Sequence, residues 1–169
     1  MSNDNQLLKK RAKHTAQIKQ DSTKGGTGII LVEFLLFPEK YAVEASYVRE
    51  VLTLREITHI PGTPEHVMGV VNFRGTIISV INLKILFGLK EKGLTEMNKI
   101  LLLRKDQMEF GLVADAIIGS TSINKDQLSE PPQILSTTAA DFVSGLMNNG
   151  TILLDANRML TSKILLIDQ

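Results

Sequence analysis

One strand-like stretch occurs twice in this chain, as Val67-Met68-Gly69-Val70-Val71-Asn72 and as Val143-Ser144-Gly145-Leu146-Met147-Asn148. A second stretch follows each copy, first Gly75-Thr76-Ile77-Ile78 and then Gly150-Thr151-Ile152-Leu153. Short apolar runs that are bounded by turn residues are typical of buried strands. We therefore interpret the chain as a strand, a tight turn and a second strand that are present in two copies.

The repeat extends upstream of these stretches. Overlaying Tyr41–Thr53 on Phe110–Ser122 pairs Val43 with Leu112, and apolar residues alternate with other residues in both segments, as in half-buried strands. We predict an all-β fold of two small SH3-like β-barrels, each of about five short strands, packed side by side with short helical turns. Closure into barrels is expected because a small open sheet leaves unpaired backbone edges.

Three segments follow from this interpretation. Residues 1–28 are predicted to be a flexible basic tail, 29–89 the first barrel and 97–169 the second, the two barrels together forming one domain. The tail carries six basic and two acidic residues, a net charge of +4, whereas the remainder has a net charge of −3. A mildly acidic body argues against a nucleic-acid-binding face.

Composition excludes several kinds of site. The absence of cysteine removes disulfides and thiolate metal sites and suits a cytoplasmic protein. The longest apolar stretch, Ile29–Phe37, is too short to cross a bilayer, so no membrane insertion is expected. His59 and His66 flank a Pro-Gly-Thr-Pro turn, fit no common metal-ligand spacing and are interpreted as exposed loop residues.

No enzyme signature is present. The glycine-rich Gly25–Gly28 has neither the preceding strand nor the following helix of a phosphate cradle, and no Gly-x-Ser-x-Gly motif occurs. We therefore predict no catalytic residues, no cofactor and no metal. The remaining classes are a protein-binding module and, as the alternative, a β-barrel that binds nucleic acid. The second is disfavoured because four of the few aromatic residues lie in strand patterns and are predicted to be core: Phe34, Tyr41, Phe110 and Phe142.

Arg74 lies between Phe73 and Gly75, at the joint of two apolar strands. One interpretation is a solvated turn arginine. The other is an anchor for a partner, because arginine is enriched at interface hot spots and can fork onto a carboxylate or onto carbonyl groups. Composition does not choose between the two.

The residues from about 29 to 167 resemble the CheW family of chemotaxis adaptors. The strongest match is Gly69-Val70-Val71-Asn72-Phe73-Arg74-Gly75, which is similar to the family's Gly-hydrophobic-hydrophobic-Asn-Leu-Arg-Gly signature. His59–Pro64 resembles the loop that leads into it, and Pro131-Pro132 resembles part of the second unit. Phe73 departs from the usual Leu, Asn82 stands where Asp is frequent, and the basic tail is longer than usual.

The resemblance implies a non-enzymatic scaffold that couples a CheA-type histidine kinase to the cytoplasmic tip of methyl-accepting chemoreceptors. It implies two five-stranded barrels, with the kinase's regulatory domain packed barrel to barrel and the receptor tip in the groove between barrels. Such an adaptor would be monomeric alone and part of a larger array. An adaptor for a pilus-motility or other non-flagellar kinase pathway is the alternative within the family.

The resemblance also implies roles for single residues. Arg74 matches the signature arginine that is associated with receptor binding, and Asn72 and Gly75 are expected to shape the turn that presents it. Val48, Glu50 and Val51 match a strand beside the groove and are further candidates for receptor contact. The resemblance assigns no residue to the kinase interface.

Overall fold

A computed structural model of the chain describes residues 28–91, 93–133 and 137–165. The strands are β1 Ile29–Leu36, β2 Glu39–Glu44, β3 Val48–Thr53, β4 Val67–Phe73, β5 Thr76–Ile81, β6 Lys99–Lys105, β7 Met108–Ala114, β8 Ala116–Ile123, β9 Leu128–Ser129, β10 Val143–Met147 and β11 Ile152–Leu154. The helices are α1 Leu83–Leu86, α2 Thr137–Phe142 and α3 Ala156–Thr161, with 3-10 turns at Ala45–Tyr47 and Lys125–Gln127. The predicted all-β class with short helical turns is confirmed. The predicted tail lies outside the described residues except for Gly28.

The strands form two sheets, one in the order β8-β1-β2-β11-β10-β9 and the other in the order β3-β6-β7-β5-β4. Most neighbouring strands are antiparallel, but β11 runs parallel to β2 and β5 runs parallel to β7. In each parallel pair, one strand comes from the first half of the chain and the other from the second half.

The two halves exchange strands. In each half, the first two strands pair with the later strands of the other half, so β1 and β2 lie beside β8 to β11 and β6 and β7 lie beside β3 to β5. The predicted units 29–89 and 97–169 therefore describe the sequence repeat, whereas each sheet draws its strands from both units. The exchange ties the two halves of the chain together.

Each sheet has its own small hydrophobic cluster, and a larger cluster combines residues of both sheets and lies between them. The five-stranded sheet encloses Leu52, Val71, Phe73, Ile78, Val80, Ile100, Leu102 and Val113. The six-stranded sheet encloses Leu31, Ala42, Ile123, Met147 and Leu153. Strand β6 contributes to two clusters on its two faces. Ile100 and Leu102 belong to the cluster of the five-stranded sheet, whereas Leu101 and Leu103 belong to the cluster between the sheets.

The cluster between the sheets holds the aromatic core. Phe34, Tyr41, Phe110 and Phe142 are all buried in it, which confirms their predicted core positions. The predicted strand position is wrong for Phe142, which is the last residue of helix α2. Burial, helped by the nearby Glu39 carboxylate, raises the pKa of Tyr41 to about 12. Burial thus favours the neutral form of this phenol.

Helix α1 has a capping residue at each end. The side-chain oxygen of Asn82 accepts a hydrogen bond from the Lys84 N–H at 3.0 Å, so asparagine caps this helix. Gly88 follows with a φ of 68°, the left-handed conformation that often ends a helix. In the second half, Asp155 caps α3 by accepting a hydrogen bond from the Arg158 N–H, three residues further on, at 2.9 Å.

The prediction for the histidines is correct for His59, which is exposed, and wrong for His66, which is half-buried. The Nε2 atom of His66 lies 3.0 Å from the carbonyl oxygen of Ile164. The C-terminal segment returns to cover His66 because Leu165 is buried in the cluster between the sheets. Sequence spacing alone gives no sign of that long-range contact.

Among the described residues, no helix is both long enough and apolar enough to cross a membrane.

Candidate functional site

The turn between β4 and β5 presents Arg74 at one end of the five-stranded sheet. Phe73 and Thr76 pair across the hairpin, so Arg74 and Gly75 are its two loop residues, with φ angles of 52° and 83°. Two positive φ values are what a type I′ hairpin turn needs. The Gly75 N–H donates a hydrogen bond to Oδ1 of Asn72 at 3.0 Å, so Asn72 and Gly75 both stabilise the turn.

The Arg74 guanidinium is open to solvent. Its Nη2 atom lies 3.3 Å from Oε2 and 3.4 Å from Oε1 of Glu50 on β3, and 69 % of the side chain is exposed. Its central carbon lies 4.8 Å from the centre of the Phe73 ring. An ion pair at these distances between exposed groups is weak, so most of the hydrogen-bonding capacity of Arg74 is available to a partner.

A second arginine lies against the same ring. The guanidinium carbon of Arg49 is 5.4 Å from the centre of the Phe73 ring. Its Nη1 atom donates to both carboxylate oxygens of Glu109 at 2.7 and 2.8 Å. Sequence reasoning missed both Arg49 and Glu109, since β3 and β7 lie far apart along the chain and only the fold brings these side chains together. Phe73 was recognised only as a departure from leucine.

The structure brings four of the six predicted residues together, namely Arg74, Asn72, Gly75 and Glu50. The other two, Val48 and Val51, lie on the same strand as Glu50. Val48 packs against the cluster between the sheets, and Val51 is exposed on the edge strand β3. Strand β3 therefore runs from the Arg74 site along the side of the sheet.

The charged groups of the site form a chain that joins β7, β3 and the β4–β5 turn. Glu109 on β7 holds Arg49 on β3, and Glu50 on β3 meets Arg74 beyond β4. The site has a surface that can contact acidic or carbonyl groups, but it has no nucleophile with an activating base. In the described part of the chain, no group of three or more His, Cys, Asp or Glu side chains is arranged to hold a metal ion.

Comparison with known proteins assigns the family. The CheW-like domain matches residues 31–163, most of the chain. The chain belongs to the CheW-like family. Chemotaxis protein CheW of Treponema pallidum is 30 % identical over 140 residues, covering 79 % of this chain and 82 % of that protein. Chemotaxis protein CheW of Klebsiella aerogenes is 29 % identical over 137 residues, covering 78 % and 82 %.

A solved CheW structure is also similar. The scaffolding protein TtCheW from Thermoanaerobacter tengcongensis has a TM-score of 0.68 and 32 % sequence identity, covering 76 % of this chain and 89 % of that one. The predicted CheW resemblance is thereby confirmed, and so is the class of function, a chemotaxis scaffold protein and not an enzyme.

Proposed function

We propose that this CheW-like chain couples a CheA-type histidine kinase to chemoreceptors by binding both. In this proposal, one surface contacts the kinase's regulatory domain and another contacts the cytoplasmic tip of a methyl-accepting chemoreceptor. Holding both partners raises their effective concentration and favours an array. Such a role belongs in the cytoplasm and requires only a monomeric adaptor that assembles with its partners.

The main support for the proposed receptor surface is the backbone conformation of Arg74. A non-glycine residue in the left-handed region costs roughly 1–2 kcal/mol, and an arginine at this position is exposed and only weakly paired. The turn itself is formed by Asn72 and Gly75 and does not need the Arg74 side chain. Since the fold does not require an arginine in this strained backbone conformation, the strain at Arg74 supports a role in binding.

The remaining candidate residues extend this surface. Glu50 contacts Arg74 directly, and Val48 and Val51 continue along β3. In our proposal the receptor tip lies along β3 and the seam between the sheets, with Arg74 at one end of the contact. An exposed apolar edge such as Val51 next to a charged anchor is a common interface arrangement.

The test is a quantitative titration of the full chain with two separate ligands, a receptor-tip hairpin and the kinase regulatory domain from the same genome. Three proteins are compared: the unchanged chain, Arg74→Ala, and Arg158→Ala as a matched control. Arg158 is also an exposed arginine, but it lies on α3 of the second half, outside both β3 and the β4–β5 turn. We expect Arg74→Ala to weaken receptor binding at least tenfold, as hot-spot arginines do.

Kinase binding should be unchanged in both variants. If Arg74→Ala binds the receptor tip as well as the unchanged chain does, Arg74 is not the receptor anchor. If the unchanged chain binds neither ligand, the coupling proposal fails for these partners.

A further inference from the structure

The Phe73 ring contacts two guanidinium groups. The Arg74 carbon lies 4.8 Å and the Arg49 carbon 5.4 Å from the ring centre, both within the range of a cation–π contact. The ring belongs to the core of the five-stranded sheet and is only 3 % exposed. The ring is therefore a buried, rigid base beneath two charged groups.

The two arginines differ in how they are held. Arg49 makes a bidentate contact with Glu109, whose side chain is 12 % exposed, whereas Arg74 has only the longer contacts with Glu50. Arg49 is the extra residue at a register shift in β3, between the pairs Val48–Leu103 and Glu50–Leu102. A bulge redirects a side chain, and here the redirected group lies beside the ring.

We propose that Phe73 and Glu109 are positioning residues that preorganise the Arg74 guanidinium for its partner, Phe73 by direct contact and Glu109 by holding Arg49. The ring holds Arg74 and leaves N–H groups to reach a carboxylate or carbonyl group of the receptor tip. An arginine that is already oriented loses less rotamer freedom when it binds. This inference rests on the receptor role of Arg74 proposed above.

Glu109 keeps the second arginine from interfering. Without that carboxylate, the Arg49 charge lies unpaired against the same ring and competes for Glu50, the acidic partner of Arg74. The bidentate pair removes this competition, since both Glu109 oxygens are engaged by Arg49 at short distance. The inference thus predicts that Glu109 influences receptor binding although its own carboxylate is engaged by Arg49.

Leucine is the natural comparison at position 73, since it keeps an apolar core residue but has no ring. We expect Phe73→Leu to weaken binding of the receptor-tip hairpin about two- to fivefold, the loss that corresponds to one exposed cation–π contact. Binding of the kinase regulatory domain should stay the same. In an Arg74→Ala background, Phe73→Leu should have no further effect, because Phe73 acts through Arg74.

A second readout does not depend on any partner. In NMR spectra of the free chain, a ring beneath the guanidinium shifts the Arg74 Hε resonance upfield, and the Arg74→Ala spectrum assigns that resonance. Phe73→Leu should remove the shift. Asn149→Ala, in the corresponding turn of the second half, is the control and should change neither the Arg74 resonance nor receptor affinity.

The outcomes separate this inference from the proposed function. If Arg74→Ala weakens receptor binding but Phe73→Leu changes neither affinity nor the Hε shift, the positioning inference is overturned and the anchor role stands. If Arg74→Ala has no effect, the anchor role fails and the positioning role fails with it, whatever the shift shows about the free chain.

If Phe73→Leu does not fold properly, binding of both partners weakens. Glu109→Gln then decides the question. An at least twofold loss of receptor affinity, with kinase affinity unchanged, supports the inference. Unchanged receptor affinity in Glu109→Gln overturns it.

Discussion

Arg74 is the residue whose backbone departs most from what its side chain prefers. Among the described residues, Arg74 and Asp106 are the two non-glycine residues with positive φ, at 52° and 53°. Aspartate is several-fold enriched in this region, whereas arginine has no such preference. The corresponding turn of the second half ends in Asn149-Gly150, where the Asn149 amide donates to Glu33 at 3.4 Å. The arginine is thus specific to one of two related turns.

We predict that Arg74→Gly is more stable than Arg74→Ala by about 1 kcal/mol, since both lose the same contacts but only alanine keeps a Cβ in the left-handed region. Urea denaturation of the two variants measures the difference in the free energy of unfolding. The same pair at exposed Arg55 is the control, where glycine should give no advantage. Equal stability of the two variants at position 74 would show that the turn is not strained.

Strand β4 is an edge strand of the five-stranded sheet. Thr58 covers this edge through two backbone hydrogen bonds to Val70, each 2.9 Å long. Gly69 has a φ of 141°, and a Cβ at this position would lie 2.2 Å from the Thr58 carbonyl oxygen. Glycine is therefore required at position 69 by a close approach of two backbone segments.

We predict that Gly69→Ala destabilises the protein by about 2–4 kcal/mol, because the added methyl group displaces Thr58 from the sheet edge. Gly88→Ala is the matched control. Gly88 also has a positive φ, of 68°, but nothing lies within 4 Å of the added Cβ, so the cost should be about 1 kcal/mol. Chemical denaturation gives both values, and hydrogen exchange at the Thr58 and Val70 amides should accelerate in Gly69→Ala alone. Equal costs in the two variants would argue against the close approach.

At the scale of the whole molecule, a polar network adds to the strand exchange in holding the two sheets together. It lies at the end of β7 that is opposite to Glu109. Oδ2 of Asp115 accepts from Lys84 Nζ at 2.7 Å and from the Phe37 backbone N–H at 2.7 Å, while Oδ1 accepts from Asn98 at 3.2 Å. Phe37 follows β1 of the six-stranded sheet, and Lys84 follows β5 of the other. One carboxylate therefore links both sheets.

We predict that Asp115→Ala destabilises the protein by about 2–3 kcal/mol, because it leaves the nearly buried Lys84 ammonium without its counter-charge. Both sheets should unfold in one transition, since each contains strands from both halves. Thermal unfolding followed by circular dichroism and by amide resonances from each sheet tests this point. Arg158→Ala, which breaks the exposed pair with Asp155, is the control and should cost less than about 1 kcal/mol. Separate midpoints for the two sheets would contradict the coupling.

Local pattern was sufficient for much of this protein. Apolar runs and the two-residue period indicated the strands and the burial of Phe34, Tyr41 and Phe110, whereas Phe142 is buried at the end of helix α2. Asn82 and Gly88 lie at the two ends of α1. The repeat revealed the duplication, and the signature around Arg74 indicated the family. These features are encoded over a few residues, by alternation, by turn conformation and by capping, so a sequence alone determines them.

Only the tertiary structure shows which strands and side chains contact each other. Strand exchange between the halves, the Arg49–Glu109 pair and the His66 contact with the C-terminal segment all join residues far apart in the chain. Periodicity defines which face of a strand is apolar but not which strand lies beside it. Which strands become neighbours depends on how the two sheets bury a common core. Because that core draws residues from the whole chain, the pairing cannot be obtained from any one segment.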